Sequence, residues 1–142
     1  MKDHYNNLVN LFSKSTVNKT LQAEVAISQG NSEFIFLTNN NMHNELKEIH
    51  NTYLFMAAES AAFLAANSLV EDVMVSAKSF EINYLKPTNS KKLKVSAKFV
   101  EKSMGNYYIL AELRDNKNLI VRAKGVFRRS KKSLENIKNY NQ

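Results

Sequence analysis

The chain has 142 residues, of which 44% are hydrophobic, and carries a formal net charge of +7. This length predicts one domain with one core, and the 3 glycines and 1 proline leave little material for a flexible linker. The absence of cysteine excludes disulfides, thiolate metal sites and a cysteine nucleophile. Because the first ten residues lack the apolar segment of a signal peptide, we expect a cytoplasmic location.

The charge is unevenly distributed along the chain. Residues 1–77 contain 4 basic and 8 acidic side chains, whereas residues 78–142 contain 16 and 5, which gives net charges of −4 and +11. This asymmetry indicates that the second half meets an anion, and nucleic acid, a membrane surface and a small phosphorylated ligand remain open. The alternative is that these lysines only solvate the outer faces of strands.

Hydrophobic periodicity predicts the elements in chain order. A short helix over 3–12 comes first, and an exposed Asn-rich loop covers 39–48, between a strand hairpin and a long Ala- and Leu-rich helix over 52–70. The basic, polar tail over 130–142 is expected to form a short helix or to be disordered. The predicted strands cover residues 21–28, 33–38, 73–85, 92–102, 106–114 and 119–128.

The helix predicted over 52–70 is apolar around most of its circumference, so it must be buried on most sides. A curved antiparallel sheet wrapped around one central helix is the simplest arrangement that buries it, which predicts the α+β class. A membrane span is not favoured, because the one charge of this helix, on Glu59, lies near its middle.

Glu59 stands out, since Ser60 is the only other polar side chain between Tyr53 and Ala66. Burying a carboxylate is costly and raises its pKa, which suits a general base. The structural alternatives are a glutamate on an exposed stripe or one bonded to backbone. His50, just before the helix, can donate a hydrogen bond to a substrate carbonyl or simply cap loop carbonyls. The first N–H groups of the helix lack helical partners and can stabilise an oxyanion.

The segment from His50 to Glu59 resembles that of hot-dog acyl-CoA thioesterases of the phenylacetate-pathway type. In that family a His-Gly-Gly opens the central helix, and an Asp or Glu follows nine residues after the His, as Glu59 does here. The family often has an Asn six residues before the His, which is Asn44 here. The segments 82–87 (INYLKP) and 125–128 (GVFR) also resemble a strand end and the last strand of that family.

The resemblance implies a homodimer or homotetramer with its active site at the dimer interface. It implies that Glu59 is the general base for water or the nucleophile on the thioester carbon, and that His50 orients or polarises the thioester. Asn44 then positions water or the carbonyl, and the N–H of Asn51 or Thr52 holds the developing oxyanion. We expect the base, the carbonyl contact and the end of the helix to lie together within one helix turn or just before it.

Four positions depart from the family's pattern within this single hot-dog domain, residues 1–142. The Gly-Gly pair is Asn51-Thr52, the glycine three residues before the histidine is Lys47, and the acid is Glu59 rather than the commoner aspartate. Because glycine lets a thioester approach the backbone closely, these changes bear on catalysis more than on fold.

The basic second half fits coenzyme A, whose phosphates attract lysine and arginine. We expect no other cofactor and no metal, since the three histidines do not sit at ligand spacing on one element. Cations at strand ends are candidates for the phosphates, and side chains of the long helix are candidates for an acyl slot. These candidates are Lys86, Lys91, Lys92, Arg128 and Arg129 for the phosphates and Tyr53, Phe55, Met56 and Phe63 for the acyl chain.

Three other functions stay open. The loss of the Gly-Gly pair favours a non-catalytic hot-dog module that binds acyl-CoA or another ligand. A dehydratase of the same fold is less favoured, because its histidine in a Pro- and Gly-rich loop further from the acid is absent. Lysine-bearing strands and the pair Tyr107-Tyr108 suit a nucleic-acid surface, but no recognition motif accompanies them. We therefore expect an acyl-CoA substrate and a second copy of the chain as partners, and no nucleic acid.

Overall fold

The architecture is that of a computed structural model, which describes residues 2–21 and 23–141. Two α-helices, α1 (Lys2–Lys14) and α2 (Asn51–Asn67), are accompanied by short 3-10 helices at Asn18–Thr20, Asn40–Met42 and Leu134–Asn136. The six strands are β1 (Glu24–Ser28), β2 (Asn31–Leu37), β3 (Val73–Tyr84), β4 (Lys92–Ser103), β5 (Asn106–Arg114) and β6 (Leu119–Ser133).

The strands form one antiparallel sheet in the order β1-β2-β4-β5-β6-β3. The sheet wraps around α2, which contacts all six strands. Alternate residues of each strand face the helix, as the burial pattern of β2 shows, with Phe34 and Phe36 buried and Glu33, Ile35 and Leu37 exposed. This confirms the predicted α+β arrangement of a curved sheet around one central helix.

The composition of α2 explains its central position. Ten of its 17 residues are buried, and six of those are alanines, whose small side chains let the sheet approach the helix axis closely. Within the described ranges, no helix is long and apolar enough to cross a membrane.

Asn67 ends the helix three residues earlier than predicted. Its fully buried amide donates to the carbonyl of Phe63 (2.9 Å) and to that of Val75 (2.9 Å), and its oxygen accepts from the N–H of Val75 (2.8 Å). Asparagine side chains compete in this way for backbone groups near helix ends. The amide thereby ties the end of α2 to the start of β3.

The tail predicted over 130–142 begins as strand and then forms a short 3-10 helix at Leu134–Asn136. Residues up to Ser133 extend β6 and pair with β3, where Ser133 lies opposite Val73. Beyond them Tyr140 is buried and donates its hydroxyl hydrogen to Nδ1 of the buried His4 in α1. His4 Nε2 donates to the carbonyl of Asn67 (2.7 Å), so both chain ends are fixed to the end of the central helix. The polar composition of the tail did not predict the extension of β6, because residues 129–133 pair at the rim of the sheet, where their side chains stay exposed or half-buried.

Smaller differences lie before α2. In the segment predicted as strand 21–28, Leu21 is instead buried in a turn that precedes β1, and Gln22 falls outside the described residues. The loop over 39–48 is exposed or half-buried except at Met42, which is buried and anchors it to the core.

Candidate active site

One side of α2 is not covered by the sheet. Phe55, Glu59 and Phe63 follow one another at four-residue spacing, and Met56 lies beside them, so the four share one face of the helix. We call these four residues the open stripe. Phe55 is 40% exposed, and its ring meets that of Phe80 on β3 edge to face, with centroids 5.5 Å apart. The open stripe therefore faces out beside the edge strand β3.

Glu59 is the only charged residue of the open stripe. It is half-buried, and this burial raises the pKa of its carboxyl group above the ordinary value. It makes no hydrogen bond or ion pair with any residue that the structure describes. Of the two structural alternatives, a bond to backbone is not seen among the described residues, whereas Glu59 does lie on an exposed stripe of the helix, where it is half-buried.

His50 caps the N-terminus of α2. Its side-chain Nδ1 accepts a hydrogen bond from the backbone N–H of Thr52 (3.0 Å), and the backbone N–H of His50 donates to the carbonyl of Met42 (2.8 Å). Because Nδ1 acts as the acceptor, the neutral imidazole carries its proton on Nε2. His50 is exposed, so this Nε2–H is a donor available to a substrate carbonyl.

The first N–H groups of α2 are not equivalent. That of Thr52 is bonded to His50, and that of Tyr53 donates to the carbonyl of His50 (3.0 Å). The N–H of Asn51 has no hydrogen bond within residues 2–21 and 23–141. Of the two groups predicted to hold an oxyanion, only that of Asn51 is available at the positive end of the helix dipole.

Asn44 organises the loop before the helix. Its side-chain oxygen accepts from the N–H of Leu46 (2.8 Å) and of Glu48 (3.1 Å). Only its NH₂ group is left for a ligand. Lys47, at the position where the family has glycine, has φ = 62°. This left-handed conformation is the one that glycine favours.

The distance between His50 and Glu59 contradicts one prediction. Nine residues separate them, and a helix rises 1.5 Å per residue, so they lie about 13 Å apart along the axis of α2. The prediction that base, carbonyl contact and helix end lie within one turn is therefore wrong. In one protomer, Glu59 does not reach a carbonyl carbon whose oxygen is held at Asn51.

The candidate lysines lie near the N-terminus of α2. The N–H of Ile49, two residues before the helix begins, donates to the carbonyl of Thr88 (2.8 Å), which fixes the segment between β3 and β4 next to it. Lys86, Lys91 and Lys92 flank this contact and are exposed. They are placed to meet a ligand that enters beside this end of the helix.

The candidate arginines lie at the opposite end of the sheet. Arg129 forms an ion pair with Asp72 (2.6 Å), just after α2 ends, and lowers the pKa of that carboxyl group. Arg128 donates to the carbonyl of Met104 (3.2 Å) and to Oδ1 of Asn106 (2.8 Å). One protomer therefore does not unite these arginines with the candidate lysines.

Three of the four predicted acyl-slot residues belong to the open stripe. Phe63 and Met56 are half-buried members of the open stripe, whereas Tyr53 lies to one side of it. The structure adds apolar residues that the sequence analysis missed, Tyr84 and Leu85 at the end of β3, which are 41% and 48% exposed. In the sequence, apolar residues continue to the end of the strand that became β3. Only the strand order shows that β3 is an edge strand.

No protein-family model and no curated protein sequence matches the chain. Several solved structures are similar to the chain in fold. The PaaI protein of E. coli, from the phenylacetic acid degradation operon, is 17% identical over 93% of this chain and 96% of its own, with a TM-score of 0.83. A thioesterase family protein from Silicibacter pomeroyi is 20% identical over 87% and 96%, with a TM-score of 0.79. The thioesterase HI1161 from Haemophilus influenzae is 16% identical over 84% and 86%, with a TM-score of 0.75.

Proposed function

With the hot-dog fold as its scaffold, we propose that this chain is an acyl-CoA thioesterase in which Glu59 is the catalytic carboxylate. The observation that carries the proposal is the state of Glu59, which is half-buried on an apolar stripe, has a raised pKa and forms no ion pair with any described residue. A carboxylate in this state costs stability, which is a mark of functional sites. The names of the structural neighbours point to the same activity.

In the proposed reaction, Glu59 accepts a proton from water as that water attacks the thioester carbon, or attacks the carbon itself. The raised pKa brings the carboxyl group closer to neutral pH, which favours proton transfer. The oxyanion receives the N–H of Asn51 and the Nε2–H of His50. Collapse of the tetrahedral intermediate breaks the C–S bond, and the thiolate of coenzyme A leaves and takes up a proton. Where Glu59 itself attacks, water then hydrolyses the mixed anhydride, which releases the acid and restores the carboxylate.

The 13 Å separation supports a site shared by two protomers. In two antiparallel helices related by a two-fold axis, facing residues have a constant sum of residue numbers. If Glu59 faces the partner subunit's His50, the axis passes between Leu54 and Phe55. Phe55 is exposed there and contacts Phe80 of the edge strand. The free edge of β3 supplies unpaired backbone groups for the same association.

This dimer also bears on coenzyme A. Lys86, Lys91 and Lys92 lie at the end of α2 that holds the thioester oxygen, so they are proposed to contact the phosphates of the substrate. Arg128 and Arg129 can approach that end only from the partner protomer. The acyl chain is proposed to lie along the open stripe. No cofactor beyond the coenzyme A of the substrate is required, and the cytoplasmic location stays a prediction.

A non-catalytic acyl-CoA-binding module is the second candidate. It is favoured by the bond between the N–H of Thr52 and His50, which leaves only the N–H of Asn51, of the two predicted donors, for an oxyanion. Glycine at these positions would give closer access to the backbone.

Thioester hydrolysis, followed by thiol release across acyl chain lengths, tests the proposal. We expect turnover by the wild type and a loss of about 10²–10⁴-fold in Glu59→Gln. Glu101→Gln makes the same chemical change on the exposed β4–β5 hairpin and serves as the matched control. Retained turnover in Glu59→Gln refutes the mechanism, whereas binding of acyl-CoA without turnover in the wild type identifies the binding module.

Mixed dimers test the shared site. Glu59→Gln and Asn51→Pro protomers are each expected to be inactive alone, and random mixing gives half heterodimers, each with one intact site. We therefore expect recovery of about a quarter of wild-type activity after mixing. A site contained in one protomer recovers nothing, because every protomer then carries a lesion.

A further inference from the structure

A groove of about 760 Å³ lies on the face of the sheet that points away from α2. It crosses the strands from β1 to β6. Its floor is formed by small residues, among them Ala26, Ser28 and Ser96, while longer side chains stand along its sides. The sheet separates this groove from Glu59, so a ligand in the groove is independent of the proposed thioesterase activity.

Two lysines flank one leucine in this groove. Lys98 is the register partner of Leu110, and Leu110 is the partner of Lys124, so the three form a row across β4, β5 and β6. Strands lie about 4.8 Å apart, which sets the two lysine Cα atoms about 10 Å from each other. Neither lysine has an ion pair in the part of the chain that the structure describes, although Glu81 is the register partner of Lys124 on β3.

The acidic residues of the groove are neutralised by other cations. Glu33 pairs with Lys94 (3.6 Å), and Glu112 pairs with Arg114 (3.4 Å) and Arg122 (3.2 Å). The two lysines of the neighbouring row take no part in these ion pairs, so the row of Lys98, Lys124 and Glu81 keeps a net positive charge. The groove therefore attracts anions at one row, with carboxylates close beside it.

We propose that this groove binds a small phosphorylated molecule, with one anionic group at Lys98 and another at Lys124. The hydroxyl groups of Ser28 and Ser96 supply further donors. The volume lies within the range of small-molecule sites. Because the cations of the next row are engaged in ion pairs with Glu33 and Glu112, the free positive charge covers one short row, which matches a compact anion better than a continuous phosphate backbone.

Titration calorimetry with inorganic pyrophosphate, in a low-salt buffer that contains no phosphate, tests the site. Loss of both lysines in the Lys98→Ala, Lys124→Ala double variant is expected to weaken binding by at least about tenfold, because each removes a charge-assisted contact. The control is Lys131→Ala, Lys132→Ala, which removes the same charge from an exposed part of β6 and is expected to stay within about twofold of the wild type.

A second variant keeps the charge unchanged. Ser96→Phe fills the floor of the groove and is expected to abolish pyrophosphate binding. Equal weakening in the two lysine pairs would overturn the proposal in favour of diffuse charge, as would wild-type protein that gives no binding at millimolar pyrophosphate. The oligomeric state of the same variants is measured by sedimentation. If Ser96→Phe dissociates an assembly, a second copy of the chain covers the groove and the ligand site is refuted.

Discussion

Replacing Asn51 by proline removes one backbone N–H at the first position of α2 and leaves the rest of the helix intact. Proline is favoured at this position, where the N–H has no helical partner. The residue before a proline must be extended, and His50 already is, with φ = −65° and ψ = 140°. Because the N–H of Asn51 makes no hydrogen bond among the described residues, the folded protein loses none.

The expected effect on catalysis is large, and the effect on stability is small. Removal of one oxyanion donor lowers kcat by about 10²–10³-fold, or about 2.7–4 kcal/mol. The free energy of unfolding is expected to change by less than about 1 kcal/mol, and towards stabilisation, since proline restricts the unfolded chain. A catalytic loss without a stability loss is the signature of this role.

The assay is thiol release at saturating acyl-CoA, with thermal unfolding measured on the same preparations. Asn51→Ala is the matched control, because it removes the side chain and keeps the N–H. We expect Asn51→Ala to retain kcat within a few-fold. Wild-type kcat in Asn51→Pro would refute the oxyanion assignment, and equal losses in both variants would move the role to the side chain.

Three further perturbations probe the fold and the carboxylate. Met104 and Gly105 form the β4–β5 turn with φ of 51° and 82°, so Met104→Asn is expected to raise the free energy of unfolding by about 1 kcal/mol in urea; an unchanged midpoint contradicts this. Asn67→Ala leaves the N–H and the carbonyl of Val75 unpaired, so the free energy of unfolding measured by calorimetry is expected to fall by about 3 kcal/mol. A much smaller loss would mean that these backbone groups find other partners. Burial raises the pKa of Glu59, so its protonated form is favoured in the fold, and this contribution is present at low pH and lost as pH rises through the raised pKa. Glu59→Gln is accordingly expected to melt higher than the wild type at neutral pH, with a gap that closes on acidification; a gap independent of pH would argue against the burial penalty.

Most of the fold follows from local pattern. β5 has the predicted bounds, because an apolar run over 107–111 is bounded by Gly105 on one side and by the turn residues 115–118 on the other. The buried helix α2 and its single carboxylate could also be predicted, since one charged residue among apolar ones is recognised from neighbouring positions in the sequence. The end of β6 was not visible, because residues 129–133 pair only at the rim of the sheet and carry no apolar signal.

The candidate site likewise has a part that the sequence predicts and a part that only the tertiary structure shows. The sequence by itself determined that Glu59 lies in a largely buried helix that begins after His50, because both facts depend on residues close together in the chain. Only the tertiary structure decided that the open stripe lies beside the free edge of β3, that Arg128 lies far from Lys86, and that Lys98 and Lys124 share a groove. Those relations are set by strand order and register, which bring together segments distant in sequence and which no local periodicity encodes.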